Sequence, residues 1–367
     1  MGHQCTIFEQ RKELGGMLYY GIPNYRLPKE RLAEDVQNIL ATGVETKMNT
    51  CIGDGDGEIS FKMLKENYDA VYISIGAHTD KKLGLEGEDS KNVISAVDML
   101  REIGDGAYPD YTGKRVVVVG GGNVAMDCAR TAMRANAETV SIVYRRRQED
   151  MTALPAEVEG AIAEGIELVT LKAPLRVEAD AEGNACALWV QPQIIGPVKG
   201  GRPSPRKANK PEERMECDIV LVAIGQDIVS EPFADFGMAV NRGRIAADKG
   251  GAANMVGVYA GGDCVSGPAT VIKAIAAGKA AAANIDEYLG YHHPISCDVE
   301  IPEPMLNDKV PCGRVNLQEV EAWARKTNFE GIELPMSCEE AVQEASRCLR
   351  CDRHGCGTLR GGREFEW

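Results

Sequence analysis

The chain has 367 residues, of which 44% are hydrophobic, and its 55 acidic residues outnumber its 41 basic residues to give a net charge of −14. This length and apolar content predict two domains and a tail. The acidic balance argues against partners such as nucleic acid or an anionic membrane surface. The longest stretch of small apolar residues, 269–289, contains Lys273 and Lys279 and is too polar to span a bilayer. No secretory signal opens the sequence, so we expect a cytoplasmic protein whose twelve cysteines are reduced.

The first predicted element is a short strand over residues 4–9 that ends in Glu9. In a dinucleotide-binding fold this is the position of the second strand, whose terminal acid accepts hydrogen bonds from a ribose diol. Because a second strand requires a first, we expect the element that holds this nucleotide's pyrophosphate to be lacking. Residues 14–28 follow and are rich in glycine, proline and tyrosine. Such a segment can lay amides and aromatic faces along a flat cofactor, or form a structured surface loop.

The central motif is a run of four valines, residues 116–119, followed by Gly-Gly-Gly-Asn-Val-Ala at residues 120–125. The valines predict a buried parallel strand, and the glycines stand where that strand turns into a helix. Gly120 permits the tight turn, Gly122 lets a pyrophosphate approach the backbone, and Ala125 lets the helix pack against the strand. The start of the helix offers free N–H groups and a positive dipole end. The predicted phosphate-binding residues are Gly120, Gly122, Asn123, Val124 and Ala125.

Three arginines follow the next predicted strand, residues 139–144. An NAD site would carry an acid at about this point to bind the ribose. The planar guanidinium groups of Arg145 and Arg146 instead fit a 2′-phosphate. A glycine loop alone is weak evidence, and a charge run is usually a solvated face. Their placement at the ends of neighbouring strands favours an NADP(H) site.

Several segments together resemble the small (β) chain of NADPH-dependent glutamate synthase and its relatives. They are residues 15–28 (Gly-Gly-x-Leu-x-Tyr-Gly-Ile-Pro-x-Tyr-x-Leu-Pro), 68–77, 120–125, 144–147, 218–226 and 258–263. The resemblance covers nearly all of residues 4–290 in the order and spacing of the family. It implies an α/β flavoprotein with two Rossmann-like dinucleotide-binding domains of the glutathione-reductase type. An FAD domain would comprise residues 1–105 and 227–290, with an NADPH domain inserted at 106–226 and a cysteine-rich tail at 291–367.

The resemblance also implies which residues contact FAD. Gly76 and Gly225 would lie where the chain passes between the two domains, and Asp263 would accept a hydrogen bond from a flavin sugar hydroxyl. The helix that opens at residue 270 would direct its first amides at the flavin pyrimidine carbonyl, besides packing through its alanines. The implied FAD-binding residues are Glu9, Gly16, Tyr20, Arg26, Gly76, Gly225, Gly262, Asp263, Thr270 and Val271.

Two further parts of the inserted domain are open to interpretation. Relatives carry Met-Pro-Ala where residues 151–153 of this chain read Met-Thr-Ala, which leaves the contact with NADPH at this point open. A helix is predicted after Pro155. Residues 197–211, full of Lys, Arg, Pro and Gly, are predicted to form an exposed loop.

The tail carries a cysteine cluster with metal-ligand spacing. In a reduced compartment, a Cys-x-x-Cys beside a third cysteine suggests an iron–sulfur or zinc site. Residues 344–351 resemble a family motif that holds a [4Fe–4S] cluster, but Arg360 stands where the fourth cysteine would be. Cys312 or a partner could complete the set, and an unmetallated tail is the alternative. His292 and His293 are expected to be turn residues. The candidate ligands are Cys338, Cys348, Cys351 and Cys356.

The function implied by the resemblance is hydride transfer between NADPH and FAD, with no acid–base residue required. Electrons would then pass singly to an iron–sulfur acceptor in the tail or in a larger redox or amidotransferase-type subunit. The alternative is a truncated, flavin-poor NADPH-binding or assembly subunit without independent activity. A disulfide reductase would need a redox-active cysteine pair beside the flavin, and the only Cys-x-x-Cys lies in the tail.

Overall fold

A computed structural model describes residues 1–55, 57–293 and 312–348. The strands are β1 (Thr6–Phe8), β2 (Glu45–Lys47), β3 (Val71–Ile73), β4 (Thr79–Asp80), β5 (Val93–Ser95), β6 (Arg115–Val119), β7 (Thr139–Tyr144), β8 (Glu167–Thr170), β9 (Lys172–Ala179), β10 (Ala185–Lys199), β11 (Arg202–Lys207), β12 (Glu213–Glu216), β13 (Ile219–Val222), β14 (Gln226–Asp227), β15 (Val240–Asn241), β16 (Arg244–Ile245) and β17 (Val258–Ala260). The helices are α1 (Met17–Tyr20), α2 (Lys29–Leu40), α3 (Phe61–Asn67), α4 (Ala96–Gly104), α5 (Asn123–Arg134), α6 (Pro155–Ala163), α7 (Glu231–Asp235), α8 (Asp263–Ser266), α9 (Val271–Tyr288), α10 (Ala322–Arg325) and α11 (Cys338–Ser346).

A five-stranded parallel sheet in the order β5-β13-β6-β7-β8 forms the centre of residues 93–222. Its middle strand, β6, is covered on both faces, which is why it reads as consecutive valines. Val116 and Val118 pack with the alanine-rich face of α5. Val117 and Val119 pack on the other side against β9 and β10. The predicted buried strand at residues 116–119, the strand at 139–144 and the helix after Pro155 are confirmed.

The covering layer is an antiparallel sheet in which β10 pairs with β9, β11 and β12. The exposed loop predicted for residues 197–211 is wrong, because β10 and β11 form a hairpin in which Lys199 pairs with Arg202. The two residues between them, Gly200 and Gly201, have φ values of 57° and 79°. A Gly-Gly pair at such a turn is a recognised hairpin signal. The prolines of β11 are tolerated because β11 is an edge strand.

The remaining strands form small sheets built from both ends of the chain. β1 pairs in parallel with β2, and β3 pairs in parallel with β17. Ile73 of β3 and Val258 of β17 are buried in one core with Phe61 and Ile245. Segments on either side of residues 93–222 therefore share a single hydrophobic core.

The two links between this core and the central sheet are bonded to each other. β4 pairs in antiparallel fashion with β14, and the Lys81 amide donates to the Gly225 carbonyl at 3.1 Å. In this two-stranded ribbon, the chain passes from this core to the central sheet through β4 and returns through β14.

Residues 312–348 fold back onto the rest of the molecule. The Ile332 amide donates to the Tyr25 carbonyl at 3.1 Å, and Asn24 donates from its side chain to the Phe329 carbonyl at 3.1 Å. Arg325 of α10 donates to Glu164, which follows α6. Among the helices of the described residues, none combines the length and apolar character needed to cross a bilayer.

Candidate nucleotide- and flavin-binding site

The three glycines between β6 and α5 have different surroundings. A Cβ added to Gly120 would stand 2.3 Å from the Ala223 carbonyl oxygen, and one on Gly121 would stand 2.5 Å from the Tyr144 ring. Protein atoms therefore already occupy the space that a side chain at either residue would need. At Gly122 the nearest atom to an added Cβ is the Thr152 hydroxyl oxygen, at 3.5 Å. A side chain at Gly122 would thus make only an ordinary contact, so the backbone of Gly122 is less crowded than that of Gly120 and Gly121.

The glycine loop lies at the point where the order of the sheet reverses. From β6 the chain proceeds through β7 to β8 on one side, whereas β13 lies on the other side of β6. In parallel α/β sheets, nucleotides bind in the crevice at such a switch point. The first amides of α5, from Asn123 and Val124, belong to the turn that has no intrahelical acceptors. Ala125 is fully buried, so it serves packing rather than contact.

Residues 151–154 lie directly against the glycine loop. The amides of Thr152 and Ala153 donate to the Gly121 carbonyl at 3.0 and 3.1 Å, and the Leu154 amide donates to the Asn123 side chain at 2.9 Å. A proline at position 152 would lack the N–H that makes the first of these bonds. This chain therefore fixes the loop with a hydrogen bond that the Met-Pro-Ala sequence cannot form. The Asn123 side chain is used in the same contact, which leaves its backbone for a phosphate.

The three arginines after β7 have separate roles. Arg147 forms a two-point ion pair with Asp150, through Nε at 2.9 Å and Nη2 at 3.0 Å. Arg146 is half-buried and donates from Nε to the Pro203 carbonyl at 2.9 Å, so the β10–β11 hairpin holds its side chain. Arg145 is exposed. Because Val119 pairs with Val143, the ends of β6 and β7 lie together, and Arg145 and Arg146 follow at the same edge as the glycine loop.

A second set of predicted residues meets at the carboxyl ends of β3 and β17. These strands are parallel neighbours, so Gly76 and Gly262 follow at one edge, with φ values of 67° and 74°. Only glycine adopts this conformation readily. Asp263 is half-buried and accepts a hydrogen bond from the Ala269 amide at 3.1 Å. Burial raises the pKa of the Asp263 carboxyl, and this hydrogen bond opposes the rise.

His78 was not singled out by sequence motifs, yet it lies between two of the predicted FAD-binding glycines. A Cβ on Gly76 would stand 2.9 Å from the His78 Nε2 atom, and one on Gly16 would stand 3.8 Å from its Cε1 atom. Burial lowers the pKa of His78, and the positive charges of Arg11 and Arg101 lower it further. An imidazole two residues after a strand-end glycine is a weak signal. The position of His78 becomes apparent only in the structure, where Gly16 and Gly76 both lie near its ring.

Other predicted FAD-binding residues lie around this edge. Glu9 follows β1, and one of its carboxylate oxygens accepts a hydrogen bond from the Arg11 amide at 2.8 Å. Thr270 and Val271 begin α9 and are exposed, as a helix start that binds a ligand would be. Gly225 lies in the ribbon that links the two regions, with its carbonyl bonded to Lys81.

Tyr20 and Arg26, two further predicted FAD-binding residues, have partners within the protein. The Tyr20 side chain is only 3% exposed, and its hydroxyl accepts a hydrogen bond from the Glu13 amide at 3.1 Å. The Arg26 guanidinium forms ion pairs with Asp127 at 2.9 Å and with Glu157 at 3.0 Å. Both side chains therefore make contacts within the protein. Asp127 and Glu157 are distant from Arg26 in sequence, so motif matching could not identify the ion pairs of Arg26.

Arg26 belongs to a buried charge network around the end of α6. Glu164 is fully buried and accepts hydrogen bonds from Arg130 and Arg134, each at 2.6 Å, and from Arg325 at 2.9 Å. Burial alone would raise the pKa of Glu164, but the hydrogen bonds from Arg134 and Arg130 outweigh it and lower the pKa. At the edge of the network, burial raises the pKa of Asp127 to about 6 despite the opposing charge of Arg26.

The predicted cysteine ligands lie in and around α11. Cys338 is the first residue of α11, and Cys348 lies two residues beyond the end of that helix. The rise along the helix, about 1.5 Å per residue, sets them well apart at its two ends. The Cys312 sulfur instead lies 3.6 Å from the Ser346 hydroxyl, at the Cys348 end of α11. The other two candidate ligands, Cys351 and Cys356, lie outside the described residues.

Comparisons with known proteins agree with this geometry. Residues 2–278 match the family model described as pyridine nucleotide-disulphide oxidoreductase. The NADP(+)-dependent formate dehydrogenase subunit beta of Moorella thermoacetica is 38% identical over 98% of this chain and 53% of its own length. The NADPH-Fe(3+) oxidoreductase subunit beta of Geobacter sulfurreducens is 35% identical over 96% and 58%. The chain thus spans somewhat more than half the length of these two relatives.

A shorter relative is matched over most of its length. The putative NADPH glutamate synthase small chain of Cereibacter sphaeroides is 35% identical over 78% of this chain and 72% of its own length. Among solved structures, FprA of Mycobacterium tuberculosis in complex with NADPH shares the fold, with a TM-score of 0.67, 19% identity and 78% coverage of both chains. The chain therefore belongs to the pyridine nucleotide-disulphide oxidoreductase family, the FAD- and NAD(P)-binding oxidoreductases to which its motifs pointed.

Proposed function

We propose that this chain is the NADPH-oxidising flavoprotein module of a larger redox complex, and that it passes electrons to an iron–sulfur acceptor. The observation that carries the proposal is the arrangement at the sheet edge. A Cβ on Gly122, beside the start of α5, would meet only the Thr152 hydroxyl, and Arg145 and Arg146 after β7 lie at the same edge. A pyrophosphate and a 2′-phosphate therefore each find a matching group.

The chain's own residues would hold NADPH as follows. The amides of Asn123 and Val124 bind the pyrophosphate at the positive end of α5, next to Gly122. Arg145 and Arg146 bind the 2′-phosphate, and the hairpin contact at Pro203 restricts the Arg146 side chain before the nucleotide arrives. Less rotamer entropy is then lost on binding. No residue needs to donate or accept a proton for hydride transfer.

FAD would lie along the edge formed by β3 and β17. Backbone at Gly16 and Gly262 permits close approach, the His78 ring lies beside Gly76, and the Asp263 carboxylate is placed to accept a hydrogen bond from a sugar hydroxyl. The first turn of α9 directs its positive end at the same edge. When bound, FAD supplies the ability to accept a hydride and release electrons one at a time.

The interrupted domain layout is part of this proposal. An FAD domain of residues 1–105 and 227–290 is supported by the shared core of Ile73 and Val258. An inserted NADPH domain of residues 106–226 is supported by the parallel sheet and by the β4–β14 ribbon that joins the two.

The electron acceptor is proposed to be an iron–sulfur centre in the tail or in a partner subunit. Two relatives that match nearly all of this chain are named as beta subunits, which supports an assembly with a further subunit. In the tail, the position of Cys312 beside the end of α11 favours Cys312 over Cys338 as the companion of Cys348. A disulfide reductase is less well supported, because Cys264, which follows Asp263, is fully buried, and burial raises the pKa of its thiol.

The flavin spectrum of the purified chain tests the proposal. We expect bound flavin that is bleached anaerobically by NADPH and much more slowly by NADH. A colourless protein that binds NADPH would instead support the truncated, flavin-poor alternative. A flavoprotein that neither nucleotide reduces would contradict the proposed direction of hydride transfer.

Iron and acid-labile sulfide analysis tests the tail separately. We expect Cys312→Ser and Cys348→Ser to lose the cluster and Cys338→Ser to retain it. Loss in Cys338→Ser with retention in Cys312→Ser would restore the ligand set first predicted. Absence of iron and sulfide from the wild-type chain would place the acceptor in a partner.

A further inference from the structure

The end of α9 turns back on itself and brings a histidine to a buried carboxylate. The Tyr291 amide donates to the Asp286 carbonyl at 2.9 Å, and the Gly290 amide donates to the Glu287 carbonyl at 3.0 Å. Gly290 has a φ of 85°. This is the Schellman arrangement, in which a left-handed glycine ends a helix. This turn places His293 against the last turn of α9.

Three potential metal ligands converge there. His3, just before β1, places Nε2 at 2.7 Å from Asp286 Oδ1, and His293 places Nδ1 at 2.7 Å from the same oxygen. The three ligand atoms all lie within 4.8 Å of one another. The Asp286 residue is only 2% exposed, while the two histidine side chains are 30% and 45% exposed. The carboxylate is therefore buried, while both imidazoles are partly accessible to solvent.

The surroundings hold these ligands in place. The His293 amide donates to the other Asp286 oxygen, Oδ2, at 2.7 Å and so fixes the plane of the carboxylate. The Tyr291 ring stacks on His293 at a centroid distance of 5.3 Å and meets His3 edge-on at 5.5 Å. Second contacts of this kind orient the ligands in metal sites. Burial alone would raise the pKa of Asp286, but hydrogen bonds from His293 and His3 hold it below its usual range.

We propose that His3, Asp286 and His293 form a Zn²⁺ site with one coordination position open to water. Two imidazoles and one carboxylate are a known ligand set for zinc. Tetrahedral bonds of about 2.1 Å would place the ligand atoms about 3.4 Å apart. The two contacts of 2.7 Å to Asp286 Oδ1 need to widen by well under an ångström, and the two histidine nitrogens already lie within 4.8 Å of each other. This site revises the expectation that His293 is only a turn residue.

The site is distant from the proposed flavin pocket. Asp286 lies fifteen residues along α9 from Val271, which is about 22 Å of helical rise. Its role is therefore structural. The metal would join residues that are 283 positions apart in sequence, and would fasten the start of β1 to the last helix of the split domain. A metal crosslink that closes so long a loop reduces conformational entropy mainly in the unfolded chain.

Zinc binding to the full-length flavoprotein tests the proposal. The protein is treated with EDTA, freed of chelator, mixed with Zn²⁺ and separated from unbound metal, and zinc per chain is measured. We expect His3→Ala and His293→Ala each to hold one zinc fewer than wild type, with affinity at this site lowered about tenfold or more. Zinc should also raise the thermal midpoint of wild type by about 2–4 °C and that of these variants by less.

His292→Ala is the matched control, because His292 is an adjacent histidine that is not part of the convergence, and it should behave as wild type. Zinc held by the tail cysteines is recognised by substitution with Co²⁺, since only thiolate ligands give intense charge-transfer absorption. That absorption should be unchanged in His3→Ala. Equal zinc content in wild type, His3→Ala and His293→Ala, or equal loss in His292→Ala, would overturn the proposal.

Discussion

Arg26 donates from one guanidinium nitrogen to both carboxylate oxygens of Asp127, each at 2.9 Å. Arg26 lies in the segment that follows β1, whereas Asp127 lies in the second turn of α5, the helix that begins at the glycine loop. Glu157 of α6 accepts from the same guanidinium at 3.0 Å. The pair therefore fixes the proposed NADPH-binding helix to a segment that borders the proposed flavin edge.

The centre of the charge network should be the most sensitive part of it. Glu164→Gln keeps the shape of the side chain but leaves three buried arginines with less compensating charge. We expect the free energy of unfolding to fall by about 3–5 kcal/mol, as for other broken buried ion pairs. Urea unfolding at neutral pH measures this change.

Glu319→Gln provides the control for this prediction. Glu319 also binds Arg325, but its side chain is 41% exposed. Exposed pairs contribute about 1 kcal/mol or less, so this variant should be close to wild type. Similar losses in both variants would mean that burial does not determine the strength of the network.

The arginines after β7 should distinguish the two nicotinamide nucleotides. Arg145→Ala and Arg146→Ala should each weaken NADPH binding by about 1.5–3 kcal/mol, as expected for charged hydrogen bonds, and leave NADH nearly unchanged. Arg147→Ala is the matched control, since its guanidinium is paired with Asp150. Calorimetric titration with both nucleotides checks this, and an equal loss for NADH would refute the assignment of the 2′-phosphate.

Substitution of the neighbouring glycines Gly121 and Gly122 should affect different properties, stability in one case and NADPH binding in the other. Gly122→Ala adds a methyl group in ordinary van der Waals contact with the Thr152 hydroxyl, so stability should change by about 0.5 kcal/mol or less. NADPH binding should weaken by about 1–3 kcal/mol, because the methyl group displaces the pyrophosphate. Gly121→Ala places its methyl group against the Tyr144 ring and should lower stability by about 1–3 kcal/mol. Thermal unfolding and nucleotide titration of both variants separate the two effects. Unchanged NADPH affinity in Gly122→Ala would exclude Gly122 from the site.

His78 should make the protein sensitive to acid. Its folded-state pKa is lowered by burial and by Arg11 and Arg101, so the unfolded state binds a proton more readily. The stability contribution is complete above the unfolded pKa of about 6.5 and is lost as the pH falls below it. His78→Gln should therefore lose less stability than wild type between about pH 7.5 and pH 5.5 in urea unfolding. An equal loss in both proteins would show that the imidazole is not responsible.

Local patterns in the sequence predicted much of the central domain. The valines of β6, the glycines after it and the arginines after β7 are adjacent in sequence, and their chemistry depends on immediate neighbours. The partners of Arg26 and Cys312 could not be predicted in this way, because each contact depends on how distant segments pack.

Two other departures have more local causes. The charges and prolines of residues 197–211 favour an exposed loop, whereas the Gly-Gly pair at the turn is the local signal for the β10–β11 hairpin. The site at Asp286 depends both on a helix-end turn, which Gly290 makes readable in the sequence, and on His3 from the opposite end of the chain, which no local pattern could place there.

The pairing of β4 with β14 limits how the central parallel sheet and the core around Ile73 and Val258 can move relative to each other. If β4 and β14 were unpaired, each strand could twist independently. Because they are hydrogen-bonded, the two strands must bend together as one ribbon. Gly76 and Gly225 precede the two strands of that ribbon and offer the backbone freedom at which bending would concentrate. Reorientation of one region relative to the other would then follow a single axis across the ribbon, so that the proposed NADPH and FAD sites would approach each other along a defined path.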